Sequence, residues 1–241
     1  LQQPTPDTIR ERYELVLGQV ADAASKAGRD PASARVVVVT KGHTLETLRA
    51  ALDAGITDIA ENYAEEAVEK ILVLAAAPSI HWHMIGHVQS RKAELVAKYF
   101  DMLHSLDSRK LAGRLDRFSG QAGRSLPVLL ECNMSGEASK FGYPAWDESQ
   151  WSALAAEANA LRELPHLAVR GLMTMPPYPD HPEQSRPYFR RLRVLREYLQ
   201  AKVPAIRWDE LSMGTSDDFG VAAEEGATLI RVGTAILGPR P

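Results

Sequence analysis

Apolar residues along this chain fall in short blocks separated by longer stretches of amphipathic spacing, and that alternation is its strongest signal. Residues 36–40, Val-Val-Val-Val-Thr, are almost wholly β-branched, the pattern of a strand buried on both faces. Residues 45–54 have helical spacing and run into Gly55, where a left-handed residue would end the helix. The same pairing recurs. Strands are predicted at residues 58–61, 80–85, 102–106, 126–133, 167–174, 210–213 and 228–232. Helical stretches between them run through about residue 76, over 92–100, from Ser108, over 146–164, over 183–202, and over 217–225 with Gly226 as the stop. Ahead of the first strand, Asp7 is placed to cap a helix carrying Ile9, Tyr13, Leu15 and Val20, with Gly28 beyond its end.

Strands alternating with helices predict a parallel sheet, because each parallel crossover needs a helix-length connection. Eight short strands in 241 residues fit a closed (β/α)8 TIM barrel better than an open doubly wound sheet. The expected organisation is a single α/β domain over residues 1–241, with an additional N-terminal helix and lead-in at 1–34 and the barrel at 35–241. Five prolines in residues 176–187 mark a long loop rather than a domain boundary.

Composition narrows the function less than the pattern does. A hydrophobic fraction of 45% is enough for a sizeable core. With 28 basic and 31 acidic residues the net charge is −3, so no global basic field exists and nucleic acid is not an expected partner. No run of about 20 apolar residues is present and no signal-peptide core opens the chain, so no membrane association is expected. The single Cys132 allows no internal disulfide, which fits a cytoplasmic protein, and reads as a small buried hydrophobe.

In a barrel, the chemistry belongs where strands end and the following loops begin. Those ends carry Lys41, Asn62, His83 with Gly86, Asp107, Asn133, Met173 with Thr174, Ser212 with Gly214, and Arg231 with Gly233 and Thr234. This set suits an anion held beside an amine. Lys41 at the end of a buried strand is either a desolvated amine ready for Schiff-base formation or a side chain snorkelling to solvent. Residues 211–218 and 231–235 bring hydroxyls and glycines into adjacent loops, as phosphate sites of barrels do. Plain helix capping by Ser216 or Asp217 and a barrel-closing turn are the alternatives. His81 and His83 share a strand face and could chelate zinc in a hydrolase, but no acidic strand end accompanies them, so no metal is expected. The five arginines of residues 186–196 read as a solvated helix face, and Glu61, Asp107 and Glu131 are acid–base candidates that no spacing pairs.

Several blocks together resemble a known family. Val39-Thr-Lys41, Glu61-Asn-Tyr63, His81-Trp-His-Met-Ile-Gly86 with Gln89-Ser90, residues 135–142, Arg170-Gly-Leu-Met173, residues 211–218 and residues 231–236 are similar, in order, to the YggS/PROSC-type pyridoxal phosphate homeostasis proteins. These in turn resemble the barrel domain of alanine racemases. The resemblance implies pyridoxal 5′-phosphate (PLP) held as a Schiff base on Lys41, which makes that lysine the expected catalytic residue. It implies a phosphate cradle of Ser212, Gly214, Ser216, Gly233 and Thr234, with Arg231 facing the pyridine nitrogen and Asn62, His83 and Met173 lining the ring. Three departures touch the mouth: Thr40 where the family often has Ser, Ile59-Ala60 where it has Phe-Gly, and His87 where it has Pro.

An arginine at the ring nitrogen leaves PLP a weaker electron sink than a carboxylate would. Only about nine residues follow Val232, too few for the domain that gives the resembling racemases their second acid–base group. The resemblance therefore implies a PLP carrier in PLP and amino-acid homeostasis, with a weak amino-acid racemase as the alternative. PLP-dependent client enzymes are further expected partners, and a monomer is the expected state.

Overall fold

The computed structural model describes residues 3–75 and 80–240. Eight strands form its centre: β1 (Arg35–Val39), β2 (Asp58–Glu61), β3 (His81–Met84), β4 (Met102–Leu106), β5 (Leu126–Asn133), β6 (Leu167–Met173), β7 (Glu210–Ser212) and β8 (Leu229–Val232). Each pairs in parallel with the next, and β8 pairs back onto β1, with Val37 opposite Arg231. The sheet is therefore closed, and the fold is a (β/α)8 barrel. A two-residue bridge at Tyr143–Pro144, which the pattern did not predict, lies beside Cys132 and Asn133 at the end of β5.

The helices are α1 (Pro6–Lys26), α2 (Leu45–Asp53), α3 (Ala64–Val73), α4 (Ala93–Tyr99), α5 (Arg109–Gln121), α6 (Trp151–Leu161), α7 (Arg186–Lys202), α8 (Phe219–Glu224) and α9 (Thr234–Leu237). Thr5, not Asp7, caps α1: its hydroxyl accepts from the Thr8 N–H at 3.3 Å, and Pro6 occupies the first helical position. Asp7 instead sits in the first turn, where a carboxylate favours the helix dipole. Three helices begin later than predicted, because 3₁₀ turns at Ser90–Lys92, Glu148–Gln150 and Pro182–Ser185 lead into α4, α6 and α7. The third helix ends at Val73; residue 76, where the pattern had placed its end, lies outside the described residues.

The four valines of β1 show why strict β-branching was needed. Val36 and Val38 pack outward into the large core between barrel and helices, whereas Val37 and Val39 point into the barrel. The interior apolar cluster is small: Val37, Val39, Ala60, Leu129, Met173 and Leu229. Ile85 and Met102 pack against it, and polar side chains, among them His83, His104, Ser212 and Arg231, occupy much of the remaining interior. The α7 arginines also do more than face solvent. Arg186, Arg190 and Arg193 converge on the nearly buried Glu225 just past α8, at 3.0–3.3 Å, and so tie α7 to the helix of the seventh unit.

One contact sets how closely two strands approach. A Cβ built on Gly171 in β6 would lie 1.9 Å from the Glu210 carbonyl oxygen of β7. Backbone cannot yield as a side chain would, so Gly171→Ala must part the strands. The expected cost is about 3 kcal/mol, the upper end for overpacking, read as a lowered urea midpoint; a midpoint equal to that of the unaltered chain would contradict it.

Candidate functional site

The upper barrel is organised around Arg231, which enters the interior from β8 and is buried. Its Nη1 donates to Ser212 Oγ of β7, and its Nη2 donates to the Thr174 carbonyl at 3.0 Å and to Met175 Sδ at 2.9 Å. Three of the five guanidinium N–H donors are thereby engaged.

The bond to Ser212 begins a longer chain. Ser212 Oγ lies 2.8 Å from His104 Nδ1, His104 Nε2 lies 3.0 Å from His83 Nδ1, and His83 Nε2 lies 3.2 Å from Asp58 Oδ1. Arg231 can only donate, so Ser212 accepts there and gives its single proton to His104 Nδ1. His104 must then carry its proton on Nε2 and donate to His83, which in turn donates to the Asp58 carboxylate. Every donor points the same way, from the mouth to the floor of the barrel. Burial, then the neighbouring His83 and Arg231, hold His104 well below the usual histidine range. The hydrogen bond from His83 keeps Asp58 below the usual carboxylate range. Burial lowers Arg231 itself to about 10, which leaves it protonated at neutral pH.

Above this chain lies a cleft of about 600 Å³ at the C-terminal ends of the strands, within the size range of small-molecule sites. Lys41, two residues beyond β1, reaches into it beside Arg231 and Arg240. Burial first, and then those two cations, lower the Lys41 pKa from its ordinary value. Glu61, the carboxylate that pulls the other way, is already engaged by the Thr40 hydroxyl at 2.6 Å and by Lys70 at 2.8 Å. On the β7 and β8 side the cleft is walled by Thr215, Ser216, Gly233 and Thr234. The two loops are joined by the Ala235 N–H donating to Ser216 Oγ at 3.4 Å.

Six of the ten residues expected at the site line this cleft: Lys41, Asn62, Ser216, Arg231, Gly233 and Thr234. Four lie elsewhere. His83 and Ser212 sit one layer lower, in the hydrogen-bonded chain, and Met173 belongs to the interior apolar cluster. Gly214 is buried behind the wall: its carbonyl accepts the Arg231 N–H at 3.1 Å, and a Cβ on it would meet Ala222 Cβ at 2.5 Å. Their places at the mouth are taken by Ile85, His87, Met175 and Thr215. His43, Phe141, Tyr178 and Arg240 complete the wall and were not foreseen. Phe141 and Tyr178 lie in loops, where strand periodicity gives no guide, and Arg240 follows the last strand.

The β5 side of the mouth is held by its loops. Asn133 is engaged within its own loop: its Oδ1 accepts from the Ser135 and Gly136 N–H groups and shapes the loop that follows. Lys140 in that loop donates to the Met175 and Pro176 carbonyls at 2.9 and 2.8 Å, tying it to the loop after β6. His87 stacks on Phe141 with ring centroids 3.7 Å apart and pairs with Asp107 at 2.9 Å. His81 and His83 both approach Asp58 near the barrel floor, and among the described residues no three His, Cys, Asp or Glu side chains are grouped to hold a metal ion. No helix among the described residues is long and apolar enough to cross a membrane.

With this geometry in hand, comparison with known proteins is specific. Residues 19–241 match the family model of the alanine racemase N-terminal domain. Over 233 residues the chain is 40% identical to the pyridoxal phosphate homeostasis protein of Pseudomonas aeruginosa, covering 97% of this chain and 96% of that one. The homologue of Vibrio alginolyticus, which bears the same name, is 37% identical over 97% of this chain and 98% of its own. Among solved structures, PipY of Synechococcus elongatus, with PLP bound, superposes with a TM-score of 0.78 at 36% identity, over 91% of this chain and all of that one. Alanine racemase of Streptomyces lavendulae shares the fold, with a TM-score of 0.69 at 19% identity, and this chain spans 59% of its length. Matches of 36–40% identity over nearly the whole of this chain and of those relatives, together with the family model, make the chain a member of the pyridoxal phosphate homeostasis protein family, built on the alanine racemase N-terminal domain.

Proposed function

We propose that this protein binds PLP in the cleft, held through the Lys41 amine as a Schiff base, and serves the homeostasis of that cofactor and of amino acids, with PLP-dependent enzymes as its clients. One observation carries the proposal: the half-buried Lys41 amine, its proton loosened by burial and by two cations, stands in the cleft, while Glu61, the carboxylate that opposes this loosening, is bonded to Thr40 and Lys70. A neutral amine is the form that attacks an aldehyde.

The donor set fits the whole cofactor. Thr215, Ser216 and Thr234 offer hydroxyls to a phosphate, and at Gly233 a Cβ would meet the Val39 carbonyl oxygen at 3.2 Å, so only glycine keeps that wall thin. Arg231 has donors beyond its three engaged N–H groups to present to a ring nitrogen. When bound, the cofactor supplies an aldehyde for capture and an aromatic ring able to spread charge. Arg231 keeps its proton and donates an N–H without transferring it, which suits storage better than carbanion chemistry. The hydrogen-bonded chain from Asp58 fixes the guanidinium in that orientation. The names of the homeostasis relatives and PLP-bound PipY support the reading.

Borohydride reduction of the PLP-loaded protein followed by peptide mapping is expected to give a pyridoxyl adduct on Lys41, and none in Lys41→Ala. An adduct confined to another lysine would refute the assignment, whereas racemisation well above that of free PLP and lost in Lys41→Ala would favour a racemase. Because the Lys41 pKa is lowered, the capture rate should rise with pH and reach half its maximum below the ordinary lysine range of about 10.4. A half-maximum at or above that value would count against the desolvated amine. His104→Leu removes an acceptor from Ser212 and a donor from His83. Leaving buried partners unpaired should lower the melting temperature by several degrees and weaken PLP binding about tenfold, an effect of the size of one lost hydrogen bond. Unchanged affinity and an unchanged cofactor absorption band would show that Arg231 stands without the chain.

A further inference from the structure

Of the ionisable groups in the cleft that the PLP-binding role leaves unused, Glu131 has the most constrained setting. Glu131 follows Leu129 by two residues on β5, so both face the barrel interior. Its side chain forms part of the cleft wall and of a smaller hollow of about 190 Å³ beneath Lys140 and Phe141. Its Oε2 is buried without a hydrogen-bond partner among the described residues. Nor can the carboxyl easily turn away. Gly142, at φ +104°, lies so close that a Cβ there would be 3.0 Å from Glu131 Cγ and 2.7 Å from its carbonyl oxygen. A buried polar oxygen left unpaired carries a desolvation cost that a bound donor or acceptor removes.

The surrounding groups are otherwise occupied. Asp107 after β4 is paired with His87 from the loop after β3. Arg231 on β8 bonds to Ser212, Thr174 and Met175, and Lys140 bonds to the loop after β6. Tyr143 in the loop after β5 also has a buried, unpartnered hydroxyl. Lys41, His43, Asp217 and Arg240 line the rest of the cleft. Burial, then Asp107, raise the Glu131 carboxyl to about 7, against the opposing pull of Arg231 and Lys140. A phosphorylated ligand adds negative charge to the cleft, which favours the acid form further.

We propose that Glu131 is a ligand-binding residue acting as an acid: its carboxyl O–H donates to an anionic oxygen of a phosphorylated hydroxypyridine, so that filling the cleft takes up a proton. This rests on the cofactor reading above and adds a contact to the ligand away from its phosphate. The hydroxyl-bearing loops follow β7 and β8, while Glu131 stands on β5, with β6 between it and β7, so it meets an edge of the ligand other than the phosphate. The pH dependence has a definite sign. A carboxyl whose acid form is favoured by binding contributes its full affinity below its free value near 7 and loses it as pH rises through the higher value of the complex. The ligand is therefore held more tightly on the acid side of neutrality.

The test uses 4-deoxypyridoxine 5′-phosphate, which lacks the aldehyde and cannot react with Lys41. Its affinity is measured from pH 6 to pH 9 for the unaltered protein and for Glu131→Gln, which keeps an N–H donor but has no proton to lose. The two should agree within about threefold at pH 6, with the unaltered protein about tenfold weaker than the variant at pH 9, the effect of roughly one pKa unit. Calorimetry at pH 7.5 in two buffers of different ionisation enthalpy should show proton uptake by the unaltered protein and less by the variant. Parallel pH profiles, or no proton uptake by the unaltered protein, would overturn the role of Glu131, the second result standing even if the variant fails to fold. Failure of both proteins to bind the analogue at any pH would sink the ligand assignment itself, and the role of Glu131 with it.

Discussion

Burying the Arg231 guanidinium is the constraint on which the upper barrel depends. A cation out of water must be given acceptors, and a barrel interior normally offers only aliphatic side chains. Here Ser212, the Thr174 carbonyl and the Met175 sulfur supply them, and the chain through His104 and His83 connects Ser212 to a carboxylate at the barrel floor. The small interior apolar cluster follows from this, because the space it would fill is taken by imidazoles. So does the aim of the guanidinium: three acceptors, Ser212 on β7 and Thr174 and Met175 in the loop after β6, fix its plane. Removing any link leaves a buried polar group unpaired, which makes the chain an all-or-none device.

The same logic extends to the cleft above. Glu61 would neutralise Lys41 if it were free, and Lys70 prevents that by holding it under β1, together with the Thr40 hydroxyl. The buried Lys70–Glu61 pair thus matters less for stability than for removing a counter-ion from the amine. Burial, Arg240 and Arg231 then outweigh the opposing pull of Glu61 on Lys41, and the three cations of the cleft favour a phosphorylated ligand.

The barrel was legible from the sequence because its signal is local. Each strand carries its own β-branched or alternating run, and each helix its own stop, so eight units could be counted without knowing any contact. Depth within the barrel was not legible. His83, Met173 and Ser212 were placed on the correct face, since residues two apart on a strand share it, but one layer too high. Strand tilt and stagger decide which residue of a same-facing pair reaches the mouth, and these belong to the closed sheet, not to any one strand. Hence Met175 stands where Met173 was expected, and Ile85 and His87 where His83 was. Glu131 was visible as an acid without a partner; that its oxygen is buried beneath Gly142 needed the folded chain.

The Lys140 strap has a mechanical consequence. By bonding to two successive carbonyls of the loop after β6, it makes the loops following β5 and β6 a single panel, with Phe141 and His87 stacked along its edge. Lifting that panel requires breaking both hydrogen bonds and the stack together, whereas on the opposite rim the exposed Arg240 lies over Gly42 with its aliphatic stem. Among the described residues the rim is therefore braced unequally, and under the proposed function a bulky ligand would enter on the Lys41 side, past the amine that is to hold it.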